Sequence, residues 1–430
     1  MNKVRLRDVL TVKRGASLPG EFYSNTGEYI RLTLGNFAYP GGGFKANTSK
    51  KDLFYIGEIR PEFILKKGDI ITPLTEQVRG LLGETATIPK DNTYIQSGDI
   101  GLIIPNENLL NKRYAYYLIS SPIIKKQLDA GSQQTKIRHT SPEAIMNCIA
   151  YIPDIDEQLS IASFLDKTNK KIETNNAIIS ELESMAKDIY DYWFVQFDFP
   201  DENGKPYKSS GGKMVWNEEL KREIPEGWSN CTLEKLVNIV RGVTYEEGDT
   251  VDRPDKDHIM LLRANNIANE KINLDKVTFV SKDRVSAQQI LIPGDILICM
   301  SSGSKEHVGK TAELPFDEKM TFGAFCSKIR CNDDIFRPFV NRTIKSNLFN
   351  TWVKQKALGT NINNLTNEII SSMPIVYPTK QIISRFHTLL CPIISKIYSV
   401  AKESRELTSL RDFLLPLLMN GQVKIGDMEA

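Results

Sequence analysis

The stretch "SSGSKEHVGKTAELP", Ser301 to Pro315, contains Gly309-Lys310-Thr311. A phosphate-binding loop closes on these three residue types: glycine for backbone approach, lysine for the phosphates, threonine for magnesium. The spacing is wrong for such a loop. The only upstream glycine in range is Gly303, and five residues separate it from Gly309, where the motif requires four. A second stretch decides the reading. Residues 79–89 are "RGLLGETATIP", and a shift of 226 positions lays Gly83-Glu84-Thr85-Ala86 on Gly309-Lys310-Thr311-Ala312 and Pro89 on Pro315. Lys310 then falls on Glu84, an acid that would repel a phosphate. The copies share a glycine, a Thr-Ala pair and a proline, which suit a turn running into a strand.

The repeat extends along the chain. "LKKGDIIT" (Leu65 to Thr72) matches "LIPGDILI" (Leu291 to Ile298) through Gly68-Asp69 and Gly294-Asp295. "LRDVLTVKRG" (Leu6 to Gly15) resembles "LEKLVNIVRG" (Leu233 to Gly242), and "GSQQTKIRHTSPEAIMNCIAYIPDIDEQ" parallels "GTNINNLTNEIISSMPIVYPTKQ". A period this long exceeds any solenoid repeat, so the unit is a duplicated domain with its connector.

Composition fits such a duplication. The chain has 430 residues, 41% hydrophobic and 25% charged, the balance of an ordinary globular protein of two or three domains. No run of 18 apolar residues and no basic-then-apolar leader occurs, so a soluble cytoplasmic protein without membrane contact is expected. The six cysteines form no paired CxxC units and His is scarce at 4, against a zinc site or a disulfide framework. The net charge of +2 excludes a polycation. Residues 1–155 hold 20 Lys+Arg against 15 Asp+Glu, residues 156–200 hold 4 against 9, and residues 216–378 hold 21 against 22. Any nucleic-acid contact must therefore come from placed side chains rather than bulk charge.

A long helical stretch follows each copy. In the first, Leu165, Thr168, Ile172, Asn175, Ile179, Leu182, Ala186 and Ile189 fall at alternating spacings of 3 and 4, the seam of a coiled coil. Moving on 225 positions gives Leu390, Ile393, Ile397, Val400, Ser404, Leu407, Arg411 and Leu414. Pro392 should kink the second helix in its first turns. Thr168, Asn175 and Ser404 are polar seam positions of the kind that fix register. A twofold relation between the copies would lay the helices antiparallel. A seam of this length spans about 37 Å, close to the ~34–36 Å separating half-sites of dimeric DNA readers. The expected fold is α+β: two strand-rich globular domains separated by two long helices forming an antiparallel coiled coil. Between the first helix and the second copy, "DENGKPYKSSGGKMVWNEELKREIPEGW" (Asp201 to Trp228) reads as a loop leading into an anchor.

With these elements in place, the chain resembles the specificity (DNA-recognition) subunit of a Type I restriction-modification enzyme. The resemblance rests on Glu223-Ile224-Pro225-Glu226-Gly227-Trp228, the Gly-Asp strand starts at 68–69 and 294–295, the Asp156-Glu157-Gln158 helix opening, and "LLPLLMNG" (Leu414 to Gly421). It covers essentially the whole chain. Two departures are visible: the first copy begins at Val4-Arg5-Leu6 without a Pro-Glu-Gly-Trp leader, and the second helix opens with Lys380-Gln381 instead of an acidic pair. The resemblance implies target recognition domains at 1–155 and 228–378. Spacer helices follow at 156–198 and 379–420, with a linker at 199–227 and a C-terminal tail at 421–430. It also implies a bipartite target in double-stranded DNA, two methylation subunits and restriction subunits as partners. No cofactor is implied for this chain; S-adenosylmethionine, ATP and Mg belong to the partners.

No Asn/Asp-Pro-Pro-aromatic motif for amino methylation occurs, so this chain is expected to be non-catalytic. A nuclease reading of Asp201 with Glu219 and Lys221 has the residue types to hold a metal but no strand pattern to fix them. Base edges are read by Arg or Lys for guanine, Asn or Gln for adenine, and Ser or Thr adaptably. Such residues concentrate in corresponding segments of the two copies. In the first they are Arg14, Thr75, Gln77, Arg79, Gln133, Gln134, Lys136 and Arg138; in the second, Arg241, Ser302, Ser304, Lys305, Thr360, Asn361, Asn363 and Asn364. Similar scaffold with different polar letters is what two heads reading different half-sites would show. The competing readings are a coiled-coil assembly adaptor that does not touch DNA, and a nuclease or NTPase.

Overall fold

The computed structural model describes all residues except 40–41, 49–50, 77, 132–137, 275, 303–306, 359–364 and 429–430. The chain divides into two units, Met1–Ile172 with Glu406–Ala430, and Glu173–Arg405.

In the first unit, a four-stranded antiparallel sheet runs in the order Leu10–Arg14, Ile100–Pro105, Ile70–Pro73, Ala86–Thr87. A second sheet runs Tyr23–Ser24, Phe54–Tyr55, Tyr29–Arg31, Tyr94–Ile95, its last pair parallel. Asn2–Arg5 and Ile149–Ile152 close the domain as an antiparallel ladder. The second unit repeats this plan strand for strand. Its first sheet runs Val237–Arg241, Cys326–Cys331, Ile296–Cys299, Thr311–Glu313. Its second runs Thr250–Val251, Thr278–Ser281, His258–Leu262, Met320–Phe322, again ending on a parallel pair. Ser229–Thr232 and Pro374–Tyr377 form its closing ladder.

The repeated motifs have local causes. Ile70–Pro73 and Ile296–Cys299 are buried along their whole length, as short apolar runs in central strands are. Gly68 and Gly294 hold φ of 86° and 89°, a left-handed conformation that glycine adopts without Cβ strain. The next residue closes the turn: Lys66 N–H donates to Asp69 Oδ2 at 2.8 Å and Ile292 N–H to Asp295 Oδ2 at 2.8 Å. Gly309, also at positive φ, opens the strand Thr311–Glu313. No helix start follows it to cradle a phosphate.

The long helices are Ile155–Tyr190 and Lys380–Met419. The second continues as helix through Pro392. Pro392 lies on the exposed face, where the carbonyl left without its N–H partner can turn to water. Within each unit the two helical segments run antiparallel. In the first unit, Leu165 packs in one core with Leu414, Leu418 and Met419, and Arg411 donates to Asn169 at 3.0 Å. In the second, Ile179 packs with Ile397 and Val400, and Asn175 Nδ2 donates to Glu403 Oε2 at 2.9 Å. Leu390 is buried in the main core of the second unit. Ile172, Leu182, Ile189, Ile393 and Leu407 are half-buried. Ile394 is the buried neighbour where Ile393 was expected, because an α-helix drifts against a strict 3.5-residue repeat.

Between the copies, residues 201–213 form turns, as their Gly, Ser and Lys suggest, and a folded anchor follows. Phe199 stacks on Tyr207 at 4.8 Å and on Trp228 at 4.9 Å, and Met214–Asn217 pairs with Arg222–Pro225 as a hairpin. The aromatic residues dispersed among Gly, Ser and Lys hold these turns in place.

Candidate nucleic-acid interface

One end of the main sheet anchors the flanks of the polar segments in each domain. In the first domain, Arg14 ends its strand opposite Gly101, and Pro73 ends its strand opposite Ile100. The turn Ser97-Gly98-Asp99 lies between them. Leu74 N–H donates to Asp99 O at 2.7 Å, and Thr140 N–H donates to Leu74 O at 2.8 Å. The segments 72–80 and 131–138 therefore leave the scaffold beside the Asp99 turn. The second domain repeats each bond. Met300 N–H donates to Phe325 O at 2.8 Å and Leu365 N–H to Met300 O at 2.8 Å. Segments 301–307 and 358–366 leave the scaffold beside Phe325, with Arg241 at the neighbouring strand end.

A glycine after the arginine makes this convergence possible. A Cβ on Gly15 would lie 2.3 Å from Ser97 O, and one on Gly242 would lie 2.2 Å from Gly323 O. Only a residue without a side chain lets the strand end pass so close to the turn.

The structure separates the candidate side chains. Arg14 and Arg241 are exposed at their strand ends; Arg241 Nε donates to Ala324 O at 2.5 Å. Arg79 is exposed and pairs with Asp129 at 3.1 Å. Ser302 stands half-buried at the start of its segment. Two residues are engaged within the domain. Thr75 is buried, its strand Thr75–Glu76 paired to Arg138–His139. Arg138 spends its guanidinium on Glu76 at 3.0 Å and on Asp129, its side chain 14% exposed. Glu76 in turn accepts from Gly80 and Leu82 N–H, each at 3.0 Å. This network shapes the loop and presents no free fork to a base. Hydrogen bonds from Arg138, and then Arg79, hold the Asp129 carboxyl below the usual range. Gln77, Gln133, Gln134, Lys136, Ser304, Lys305, Thr360, Asn361, Asn363 and Asn364 lie outside the described residues.

Cys299 and Cys326 face each other across a strand pair, both fully buried, and burial pushes the Cys326 thiol up to about 12. Asp201 closes a turn by accepting from Asn203 and Lys205 N–H at 2.8 Å each, and Lys221 pairs with Glu218. Among the described residues no three His, Cys, Asp or Glu side chains cluster as metal ligands, and no helix is long and apolar enough to cross a membrane.

The sequence reading passed over three residues at this sheet end: Tyr245, Arg263 and Phe325. The turn bearing Phe325 passes against the other two, since a Cβ on Gly323 would lie 3.3 Å from the Tyr245 ring and 3.9 Å from Arg263 Cγ. Phe325 sits in the apolar stretch "TFGAFCS", which reads as core. The signal was its repeat partner, the charged Asp99.

Fold and site together define a duplicated protein: two copies of one strand-rich domain, each anchoring the ends of polar segments beside the same sheet end, with a long helix following each. Residues 1–184 match the family model described as Type I restriction modification DNA specificity domain, and the chain is similar to Type I restriction enzyme specificity subunits. It is 34% identical over 207 residues to the EcoKI specificity subunit of Escherichia coli (strain K12), covering 47% of this chain and 44% of that one. The chain thus spans a little under half the length of this relative. A longer likeness, 22% identical over 420 residues, covers 84% of this chain and 87% of the HindI specificity subunit of Haemophilus influenzae. The crystal structure of the Type-I restriction-modification system S subunit from M. genitalium superposes with a TM-score of 0.57 at 16% identity, covering 97% of this chain and 96% of that one. That likeness is one of fold.

Proposed function

We propose that this chain is the non-catalytic DNA-specificity subunit of a Type I restriction-modification complex. Each recognition domain reads one half of a split, asymmetric target, and the long helices set the unread gap. Adenine methylation, with S-adenosylmethionine, is assigned to two methylation subunits docked on this chain. ATP- and Mg-dependent translocation and cutting are assigned to restriction subunits. The observation that carries this reading is the double convergence: equivalent backbone hydrogen bonds anchor the flanks of equivalent but differently lettered segments beside the same sheet end in both domains. A shared scaffold with divergent tips suits two readers of different half-sites.

The test is co-expression with a methylation subunit of the same system, followed by mapping of methylated adenines. A single split motif with a fixed gap is expected. Replacing residues 1–155 by the equivalent domain of a relative changes one half of the motif and leaves the other. A soluble complex that methylates nothing would leave an assembly adaptor and remove the DNA-reading role. Hydrolysis of ATP or metal-dependent cutting by the purified chain alone would revive the enzyme readings.

A further inference from the structure

We infer that Phe325 is a residue with which the second domain deforms its half-site, wedging between two stacked base pairs while Arg241 and Arg263 take flanking phosphates. The inference rests on the DNA-reading role proposed above and names the residues that carry it out.

A single exposed phenylalanine is unremarkable on a protein surface. This one is 66% exposed, and three further features set it apart. First, it is rigidly presented. Its carbonyl accepts from Met300 and Ser301 N–H at 2.8 and 3.3 Å, Ala324 N–H donates to Val243 O at 2.9 Å, and Cys326 N–H to Gly323 O at 2.8 Å. A side chain on so tight a turn can enter a base stack without first losing backbone freedom. Second, cations with unspent donors flank it. Arg241 contacts the turn through Nε, and its terminal nitrogens make no hydrogen bond or ion pair among the described residues. Arg263 Nε is buried with no hydrogen-bond partner among the described residues, an arrangement that costs stability unless a ligand completes it.

Third, the duplication supplies an internal control. Matching backbone bonds place Arg241, Tyr245, Arg263 and Phe325 of the second domain on Arg14, Leu18, Thr33 and Asp99 of the first. The scaffold demands neither the aromatic ring nor the second arginine, because the first domain folds without them. The second set carries two positive charges and two rings, whereas the first is neutral and ends on an acid. Apolar wedges flanked by arginines are how proteins unstack and kink a base step; an aspartate cannot do this. The charge on both sides of the ring favours duplex DNA over a protein partner.

The test uses the intact complex with its methylation subunits and duplexes carrying the mapped motif, with 2-aminopurine at successive positions. Wild type raises fluorescence at one step of the half-site assigned to residues 228–378 by the domain swap. Phe325→Ala abolishes that rise and weakens duplex binding about tenfold or more, without changing thermal stability, since the ring is solvent-exposed. Phe325→Leu retains part of both effects, and Asp99→Ala leaves the signal untouched. If Phe325→Ala matches wild type while the split motif is still methylated, the inference falls and the proposed function stands. If Phe325→Ala instead releases a methylation subunit with duplex binding unchanged, Phe325 is a protein contact and the inference falls. If the wild-type complex methylates no split motif, both fall together.

Discussion

At the scale of single residues, the recurring motifs are positions where the backbone leaves no choice. Gly242 is the sharpest case. Its substitution by alanine drives a methyl group into the Gly323 carbonyl at 2.2 Å, and backbone on both sides cannot yield cheaply. Gly242→Ala is expected to lower the free energy of unfolding of its domain by about 1–3 kcal/mol, as other overpacked sites do. Gly248→Ala, with nothing within 4 Å of the new methyl group, should be near neutral in the same urea titration. Equal losses at the two sites would remove the close-approach explanation. The Gly-Asp turns allow a second comparison. Asp295 is 1% exposed and holds Arg330 through two contacts of 2.6 Å besides capping Ile292. Asp69 is a quarter exposed, and its nearest cation, Lys112, is 4.0 Å away. Asp295→Ala should therefore cost about 2–3 kcal/mol, and Asp69→Ala about 1 kcal/mol. Thermal unfolding of the two variants checks the order, and a larger loss at Asp69 would contradict it.

At the scale of elements, the long helices show how a seam trades stability for register. Asn175 is 1% exposed; its Nδ2 reaches Glu403, while its Oδ1 has no hydrogen-bond partner among the described residues. Glu403 is half-buried and can turn its carboxylate to water if the amide is removed. Asn175→Leu is thus expected to raise the melting temperature while loosening helix register, the known effect of a polar residue in a coiled-coil core. A lowered melting temperature would show that the amide contributes net stability. These elements also mark what the sequence could and could not convey. The duplication was legible because glycine turns, buried apolar runs and seam spacings are local signals, repeated at one offset. Arg138 was misleading because its partner Glu76 stands 62 residues away, so an arginine in a polar loop looked free. The hairpin of Met214–Asn217 with Arg222–Pro225 went unread for the same reason: the aromatic residues that stack nearby, Phe199, Tyr207 and Trp228, are dispersed in sequence. Phe325 was hidden by the opposite error, an apolar neighbourhood that reads as core although the ring faces water.

At the scale of the whole molecule, the first unit is closed by the far end of the chain. Glu406–Ala430 belongs to it, and Leu414, Leu418 and Met419 lie in one core with Leu6, Tyr114, Ile161 and Leu165. A Cβ on Gly421 would lie 2.4 Å from Met1 Sδ, so the N-terminal residue packs on the C-terminal segment. The first domain is therefore completed only when the last helical turns have been made. The second domain has its own core, drawn entirely from residues between Ala186 and Ile394. Truncation after Arg405 is expected to act unequally. It removes three apolar side chains from a buried core and uncovers their partners, a loss on the order of 5 kcal/mol. That is comparable to the whole stability of an ordinary domain. Limited proteolysis of the truncated chain should cut within residues 1–172 well before residues 228–378, whereas the full chain should resist in both. Leu418→Ala, fully buried in the native chain, should reproduce part of the effect at about 2–5 kcal/mol, without shortening the helix. If truncation left the first domain as resistant as the second, its core would have to be sufficient without the second helix, and the division of the chain into these two units would not describe how it unfolds.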